Sequence, residues 1–146
     1  LLLLSRTAPA PAGGTPPTQV VEALPPSDAM QTVLDDVQAA ANGQSALLGG
    51  AATALYQSRD GDPTLTIQVC RPADTDLFAA MDYAMDLAAD YSTTVSEELA
   101  AVGADLINCI RQDTLLSAVA PIEAAQAYAD GDLSSQEYRS TWQWLP

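Results

Sequence analysis

The chain has no lysine and no histidine, and arginine is its only basic residue type. Histidine is the side chain that changes charge near neutral pH and the most frequent protein ligand of transition metals. Without it, serine–histidine and cysteine–histidine nucleophile pairs cannot form. These absences argue against the common hydrolytic and metal-dependent mechanisms. We therefore expect a protein that is not an enzyme and needs no cofactor.

Positive charge is scarce as a whole, since five arginines stand against 19 acidic residues and the net charge is −14 over 146 residues. Nucleic-acid binding requires cations that displace phosphate counterions, so nucleic acid is excluded as a partner. An anionic membrane surface repels the domain for the same reason, which limits membrane contact to the N-terminal segment. The charge favours a basic protein partner. The simpler explanation is that an acidic surface keeps the domain soluble.

The N-terminal region is the most informative stretch for location. Leu1–Leu4 precede a spacer rich in proline, glycine, threonine and alanine that continues to Pro26. We interpret the leucines as the end of an apolar membrane anchor or export signal, because four residues alone cannot cross a bilayer. The alternative is a tail with a chance run of leucine. The predicted domains are residues 1–26, anchor or signal plus linker, and residues 27–146, one globular domain.

Hydrophobic spacing predicts helices and hairpins in alternation. The expected helices are residues 27–42, 75–91, 121–129 and 134–142, and the expected strands are residues 51–58, 64–70, 99–110 and 114–119. Asp74 or Thr75 is expected to cap the second helix, with Phe78 on its buried side, and Gly103 is expected to mark a β-bulge.

This order indicates an α+β fold. We expect a small, mostly antiparallel sheet of about four strands, formed by two hairpins, with helices packed on one face. The competing prediction is an all-α bundle, because the alanine-rich runs over residues 97–110 and 114–129 are compatible with helices.

Cys70 and Cys109 are the only cysteines, and each falls near the end of a predicted strand. If the two strands are neighbours, the thiols meet and form a disulfide outside the cytoplasm. The alternative is two separate buried thiols. The long spacing argues against a redox-active pair, which favours two intervening residues.

Residues 126–137 resemble a calcium-binding EF-hand loop over their second half, with Asp130, Asp132 and Glu137 as weak calcium candidates. The first and third loop positions carry Gln126 and Tyr128 in place of carboxylates, which should weaken calcium binding severely. A structural explanation accounts for the same residues, because Gly131 ends one helix and a capping box of Ser134 and Glu137 begins the next. The predicted metal content is therefore none.

Two further groups are candidate partner-binding sites. Asp82, Asp86 and Asp90 recur at helical spacing and form an anionic stripe, which is either a docking face for a basic partner or simply a solvated face. Trp142 and Trp144 lie near the C-terminus. They either close the core or form an exposed anchor for a partner, since tryptophan is enriched at binding hot spots. A carbohydrate platform is a weaker third interpretation.

The sequence thus predicts a non-catalytic accessory, scaffolding or protein-binding domain outside the cytoplasm. It is membrane-anchored or secreted, and its partner is a protein, basic or within a larger membrane assembly. One alternative is a small-ligand-binding domain, which needs an apolar pocket between helices and sheet. A second is a hydrolase that uses a carboxylate pair such as Asp82 and Asp86.

Overall fold

The computed structural model describes residues 20–72 and 76–145 and confirms the α+β class. The predicted all-α bundle is wrong, because the centre of the molecule is a β-sheet. The strands are β1 (Val21–Ala23), β2 (Ala51–Arg59), β3 (Asp62–Arg71), β4 (Ala101–Asn108), β5 (Thr114–Pro121) and β6 (Gln143–Trp144). The helices are α1 (Asp28–Gly43), α2 (Ser45–Leu48), α3 (Leu77–Ser92), α4 (Ile122–Ala129) and α5 (Ser135–Ser140), with a 3₁₀ segment at Thr93–Glu98.

The sheet is larger than predicted and mixed. Its six strands follow the order β1-β2-β3-β4-β5-β6, and all neighbours are antiparallel except β3 and β4, which are parallel. Parallel neighbours need a crossover connection, which here contains α3. The two hairpins, β2–β3 and β4–β5, therefore point to opposite ends of the sheet. The edge strands β1 and β6 span only three and two residues, too few to produce an alternating pattern in the sequence.

Helix α1 forms close to where its sequence predicts it. The Ser27 hydroxyl accepts a hydrogen bond from the Met30 N–H at 3.0 Å, which caps the first turn. The Gln38 side chain donates to the Ala52 carbonyl at 2.8 Å and accepts from the Ala54 N–H at 3.0 Å. Gln38 therefore provides hydrogen-bond partners for β2 backbone groups that do not pair with the short β1 strand.

Helix α3 differs from its prediction in two ways. It begins at Leu77 after Asp76, whose φ is 55°, whereas the predicted caps Asp74 and Thr75 lie outside the described residues. Phe78 does not belong to the buried side, since 68% of it is exposed. The first turn of α3 directs Phe78 toward Trp144, at 5.9 Å between ring centroids, instead of into the core.

Two local predictions further along the chain are also wrong. The irregularity in β4 lies between Leu106 and Ile107, not at Gly103. At Gly103 the strands approach closely, since a Cβ there would lie 3.1 Å from the Ala118 carbonyl oxygen on β5. The last helix ends at Ser140 instead of Trp142, and the chain continues into β6.

The helices form one layer on one face of the sheet, as α1 contacts α3 and α3 contacts α4. Side chains from both layers build a single core. Its buried members include Met30, Val37, Leu48, Leu65, Ile67, Val69, Met81, Met85, Val102 and Leu106. The strand side chains that alternate with these core residues form the opposite side of the sheet. Among residues 20–72 and 76–145 no helix packs on that side, which is termed here the helix-free face.

Candidate protein-interaction surfaces

A disulfide between Cys70 and Cys109 joins the end of β3 to the turn after β4, with the two Cα atoms 5.1 Å apart. The predicted pairing is confirmed, and it follows from the parallel pairing of β3 and β4, which brings both strand ends to the same edge. Disulfides persist in oxidising compartments. The bond therefore indicates an environment outside the cytoplasm.

The anionic stripe lies on α3 and is partly engaged by the C-terminal helices. Asp82 accepts a hydrogen bond from Arg139 Nε at 2.8 Å, an ion pair between α3 and α5. Burial raises the pKa of the Asp86 carboxyl; a hydrogen bond with Tyr128 opposes this shift, and the charges of Asp82 and Asp90 add to it. Burial also raises the pKa of Asp90. The stripe is thus a crowded anionic surface in which only Asp82 has a cation at hydrogen-bonding distance.

The C-terminal aromatic residues form a continuous ladder. The rings of Tyr128 and Tyr138 stack with centroids 4.4 Å apart, and Tyr138, Trp142 and Trp144 follow in edge contacts of 5.5 and 5.7 Å. Tyr138 is buried and donates its hydroxyl to the Met85 carbonyl on α3 at 3.1 Å. This burial raises the pKa of Tyr138. The ladder therefore fixes the C-terminal segment against α3.

The two tryptophans have different environments. Trp142 is only 8% exposed and belongs to the core cluster, whereas 42% of Trp144 is exposed. Trp144 contacts the exposed Phe78 at the start of α3, and Asp82, Asp86 and Asp90 follow Phe78 at successive intervals of four residues. We term Phe78, Trp144 and these three aspartates the anionic–aromatic surface.

The segment that resembles an EF-hand loop forms a helix-to-helix connection. Gly131 has a φ of 86° just after α4. The Ser134 hydroxyl accepts from the Glu137 N–H at 3.1 Å, and the Glu137 carboxylate accepts from the Ser134 N–H at 2.8 Å, so the predicted capping box is present. These bonds lower the pKa of Glu137. Residues 20–72 and 76–145 contain no group of three or more acidic, cysteine or histidine side chains placed to bind a metal ion.

The helix-free face contains an ion pair that the sequence pattern does not predict. Arg59 on β2 binds both carboxylate oxygens of Asp105 on β4, at 3.0 and 3.1 Å, and its guanidinium also lies 3.3 Å from the Ser117 hydroxyl on β5. The Ser117 hydroxyl donates to Asp105 as well. Arg59 is 6% and Asp105 15% exposed. The available signal is Asp105, an isolated carboxylate within the predicted strand over residues 99–110; Arg59 directly follows the predicted strand over residues 51–58.

The Arg59 guanidinium on β2 reaches Ser117 on β5, which is three strands away in the sheet. Neighbouring strands lie about 4.8 Å apart. The sheet must therefore curl around the helix-free face. At the end of the sheet that carries the β2–β3 turn, this curl forms a cleft. It is lined by Arg59, Asp60, Asp62, Thr64, Ala101, Val119, Gln143 and Leu145. Residues from β2 and β6, at distant positions in the strand order, thus border one depression.

Comparison of the chain with protein-family models, with curated proteins and with solved structures found no significant match. Within the described ranges, no helix is both long and apolar enough to cross a membrane.

Proposed function

We propose that this protein is a non-catalytic binding module that works outside the cytoplasm, either held at a membrane by its N-terminal segment or exported. It binds a basic protein partner, as an accessory or scaffolding subunit, through the anionic–aromatic surface. The observation that carries the proposal is the exposed contact between Phe78 and Trp144 at the head of the aspartate stripe.

The location is supported by the disulfide, which needs an oxidising compartment. The apolar Leu1–Leu4 and the spacer that follows support attachment or export. Residues 1–19 lie outside the described part of the chain.

The docking surface is supported by its chemistry. A few hot-spot residues carry most of the binding energy at protein interfaces, and tryptophan is enriched among them. Trp144 already holds Phe78 in an edge-to-face arrangement. Beside them, burial raises the pKa values of Asp86 and Asp90, and for Asp86 the charges of Asp82 and Asp90 raise the pKa further. A cation from a partner relieves that repulsion. The matching partner surface therefore combines an apolar pocket with arginine or lysine side chains.

The experiment uses the full chain, including the N-terminal segment, in the cells that produce it. A photo-crosslinking amino acid replaces Phe78, and in a parallel variant it replaces Tyr83, which is exposed on another side of α3. We expect a discrete protein adduct only from position 78. Thiol alkylation before and after reduction tests the location, since Cys70 and Cys109 should be protected until reduced.

The adduct partner is then purified and titrated with the wild type, Phe78→Ala and Tyr83→Ala. Loss of a hot-spot aromatic residue should weaken binding by about 30-fold, and higher salt should weaken it further. Tyr83→Ala should bind like the wild type. Equal effects of the two variants, adducts from both positions, or free thiols in cells would contradict the proposal.

A further inference from the structure

The turn between β4 and β5 is held in place by several hydrogen bonds and by the disulfide. The Asn108 side chain accepts hydrogen bonds from the N–H groups of Ile110 and Arg111, at 2.9 and 2.8 Å. The Asn108 N–H donates to the Asp113 carbonyl at 2.9 Å, and the Gln112 side chain donates to the Cys109 carbonyl at 2.8 Å. The disulfide adds a covalent link to β3. The turn is thus organised before any partner binds.

This rigid turn presents an apolar side chain to solvent. Ile110 is 81% exposed, the largest exposed fraction among the large apolar side chains of the described residues. The next residue, Arg111, is exposed and lies 3.3 Å from Asp113. Single exposed apolar residues are common, but here the backbone around the side chain is fixed by bonds on both sides. Such preorganisation lowers the entropy cost of binding.

The cleft on the helix-free face lies at the opposite end of the sheet and has complementary chemistry. Apolar atoms come from Ala101, Val119 and Leu145. The charged lining residues are Asp60, Asp62 and Arg59, and the charge of Arg59 is already paired with Asp105. The volume of the cleft is about 110 Å³. For comparison, a cavity of about 150 Å³ holds a benzene molecule. The cleft therefore has the size of one branched aliphatic side chain.

We infer that two copies of this chain associate head to tail, with Ile110 of one copy in the cleft of the next and Arg111 beside Asp60 and Asp62. The opposite directions of the two hairpins place turn and cleft at opposite ends of each copy, so the contact is heterologous and leaves a free turn and a free cleft at the ends of every assembly. Arg111 provides the positive charge that complements the acidic border of the cleft.

Net charge sets the conditions for this association. Two copies of charge −14 repel each other at low ionic strength, whereas at about 0.15 M salt the Debye length is only about 8 Å and distant charges are screened. A single turn in a small cleft makes a weak interface. We expect association to increase from low to physiological salt and to require high protein concentration.

Sedimentation velocity of the full chain over a range of concentrations tests the inference. The wild type should form a concentration-dependent series of dimers and larger species. Ile110→Asp should remove the turn contact, and Leu145→Asp should remove the cleft contact, each with at least a tenfold rise in the dissociation constant. Leu47→Asp changes an exposed apolar residue outside both surfaces and should associate like the wild type.

A mixture of the two deficient variants provides the decisive measurement. Each retains the surface that the other lacks, so equal amounts should form a 1:1 dimer and nothing larger. Far-UV circular dichroism verifies that both variants are folded. A monomeric wild type at the highest concentration, a mixture that stays monomeric, or an unchanged Ile110→Asp variant would overturn the inference. Flotation of the wild type, but not of Ile110→Asp, with phosphatidylcholine vesicles would assign the turn to a lipid surface instead and also overturn it.

Discussion

The two hairpins are built from similar strands, yet their turns are stabilised in different ways. The β2–β3 hairpin closes through Asp60 and Gly61, whose φ values of 51° and 91° are those of a tight two-residue turn. The β4–β5 hairpin closes through a longer turn that depends on Asn108 and on a disulfide to β3. The first turn takes its backbone shape from its own two residues, and Asp60 also exchanges two hydrogen bonds with the backbone of Val20. The second requires a residue 39 positions away, so its conformation depends on the completed fold.

The largest expected effect comes from the disulfide. The double substitution Cys70→Ser and Cys109→Ser removes a link that closes a 39-residue separation, and the chain-entropy relation gives a loss of about 4 kcal/mol in the free energy of unfolding. Urea titration followed by circular dichroism measures it. Hydrogen exchange should accelerate at the amides of residues 110–113 and stay unchanged at Asp60 and Gly61. Equal acceleration at both turns would contradict the comparison.

The Arg59–Asp105 pair should follow in size. Asp105→Ala leaves the buried Arg59 guanidinium without its carboxylate, and breaking a buried pair costs about 3 kcal/mol or more. The double variant Arg59→Met, Asp105→Leu should recover most of the loss, because neither charge remains. Gln68→Ala is the control, since Gln68 is the register partner of Asp105 on the same face. A loss below 1 kcal/mol for Asp105→Ala in chemical denaturation would refute this assignment.

Asn108→Ala tests the longer turn directly. It removes the acceptor for two backbone N–H groups and should reduce the free energy of unfolding by about 2 kcal/mol. Asn108→Asp retains the acceptor and serves as the conservative control. Thermal unfolding distinguishes the two variants, and equal losses would show that the side-chain oxygen is not what holds the turn.

Gly61→Ala tests the short turn. A Cβ at this position meets no atom within 4 Å, so the cost arises only from the φ of 91°, which amounts to about 1–2 kcal/mol for a non-glycine residue. Gly43→Ala is the matched control, because that glycine also has open space but no positive φ. Similar melting temperatures for the two variants would contradict the expected strain.

The smallest expected effect is on stability, and it comes from removing one carboxylate from α3 in comparison with α1. Asp86→Asn on α3 removes a carboxylate between Asp82 and Asp90 and should stabilise the fold by about 0.5 kcal/mol at pH 7. The folded-state pKa of Asp86 is raised, so the ionised carboxylate destabilises the fold at pH values above that pKa. This destabilisation disappears as the pH falls below that pKa and the carboxyl becomes protonated. The gain should therefore shrink toward acidic pH. Asp36→Asn on the exposed side of α1 should give no gain, and a gain that is independent of pH would contradict the explanation.

Local signals in the sequence predicted much of this fold. The alternation from Thr64 to Cys70, the cap at Ser27 and the capping box of Ser134 and Glu137 all depend on neighbouring residues, and all are present. Pattern alone did not predict that β3 and β4 are parallel, because strand direction depends on how a crossover packs.

The candidate site residues divide in the same way, into those predicted from local sequence and those that depend on the assembled fold. The pairing of Cys70 with Cys109 was predicted because each lies near a strand end. The contact of Arg59 with Asp105 depends on the curl of the sheet, and the exposure of Phe78 depends on where the C-terminal strand lies. These are properties of the assembled sheet and helices, and no local pattern in the chain contains them.

The arrangement of the tryptophans has a practical consequence for spectroscopy. Both Trp142 and Trp144 belong to one aromatic ladder, and neither lies in a hairpin turn. Intrinsic fluorescence therefore reports on the attachment of the C-terminal segment to α3 and is insensitive to the opening of either turn. If fluorescence gives a lower unfolding midpoint than amide circular dichroism, the C-terminal segment separates from α3 before the strands unfold.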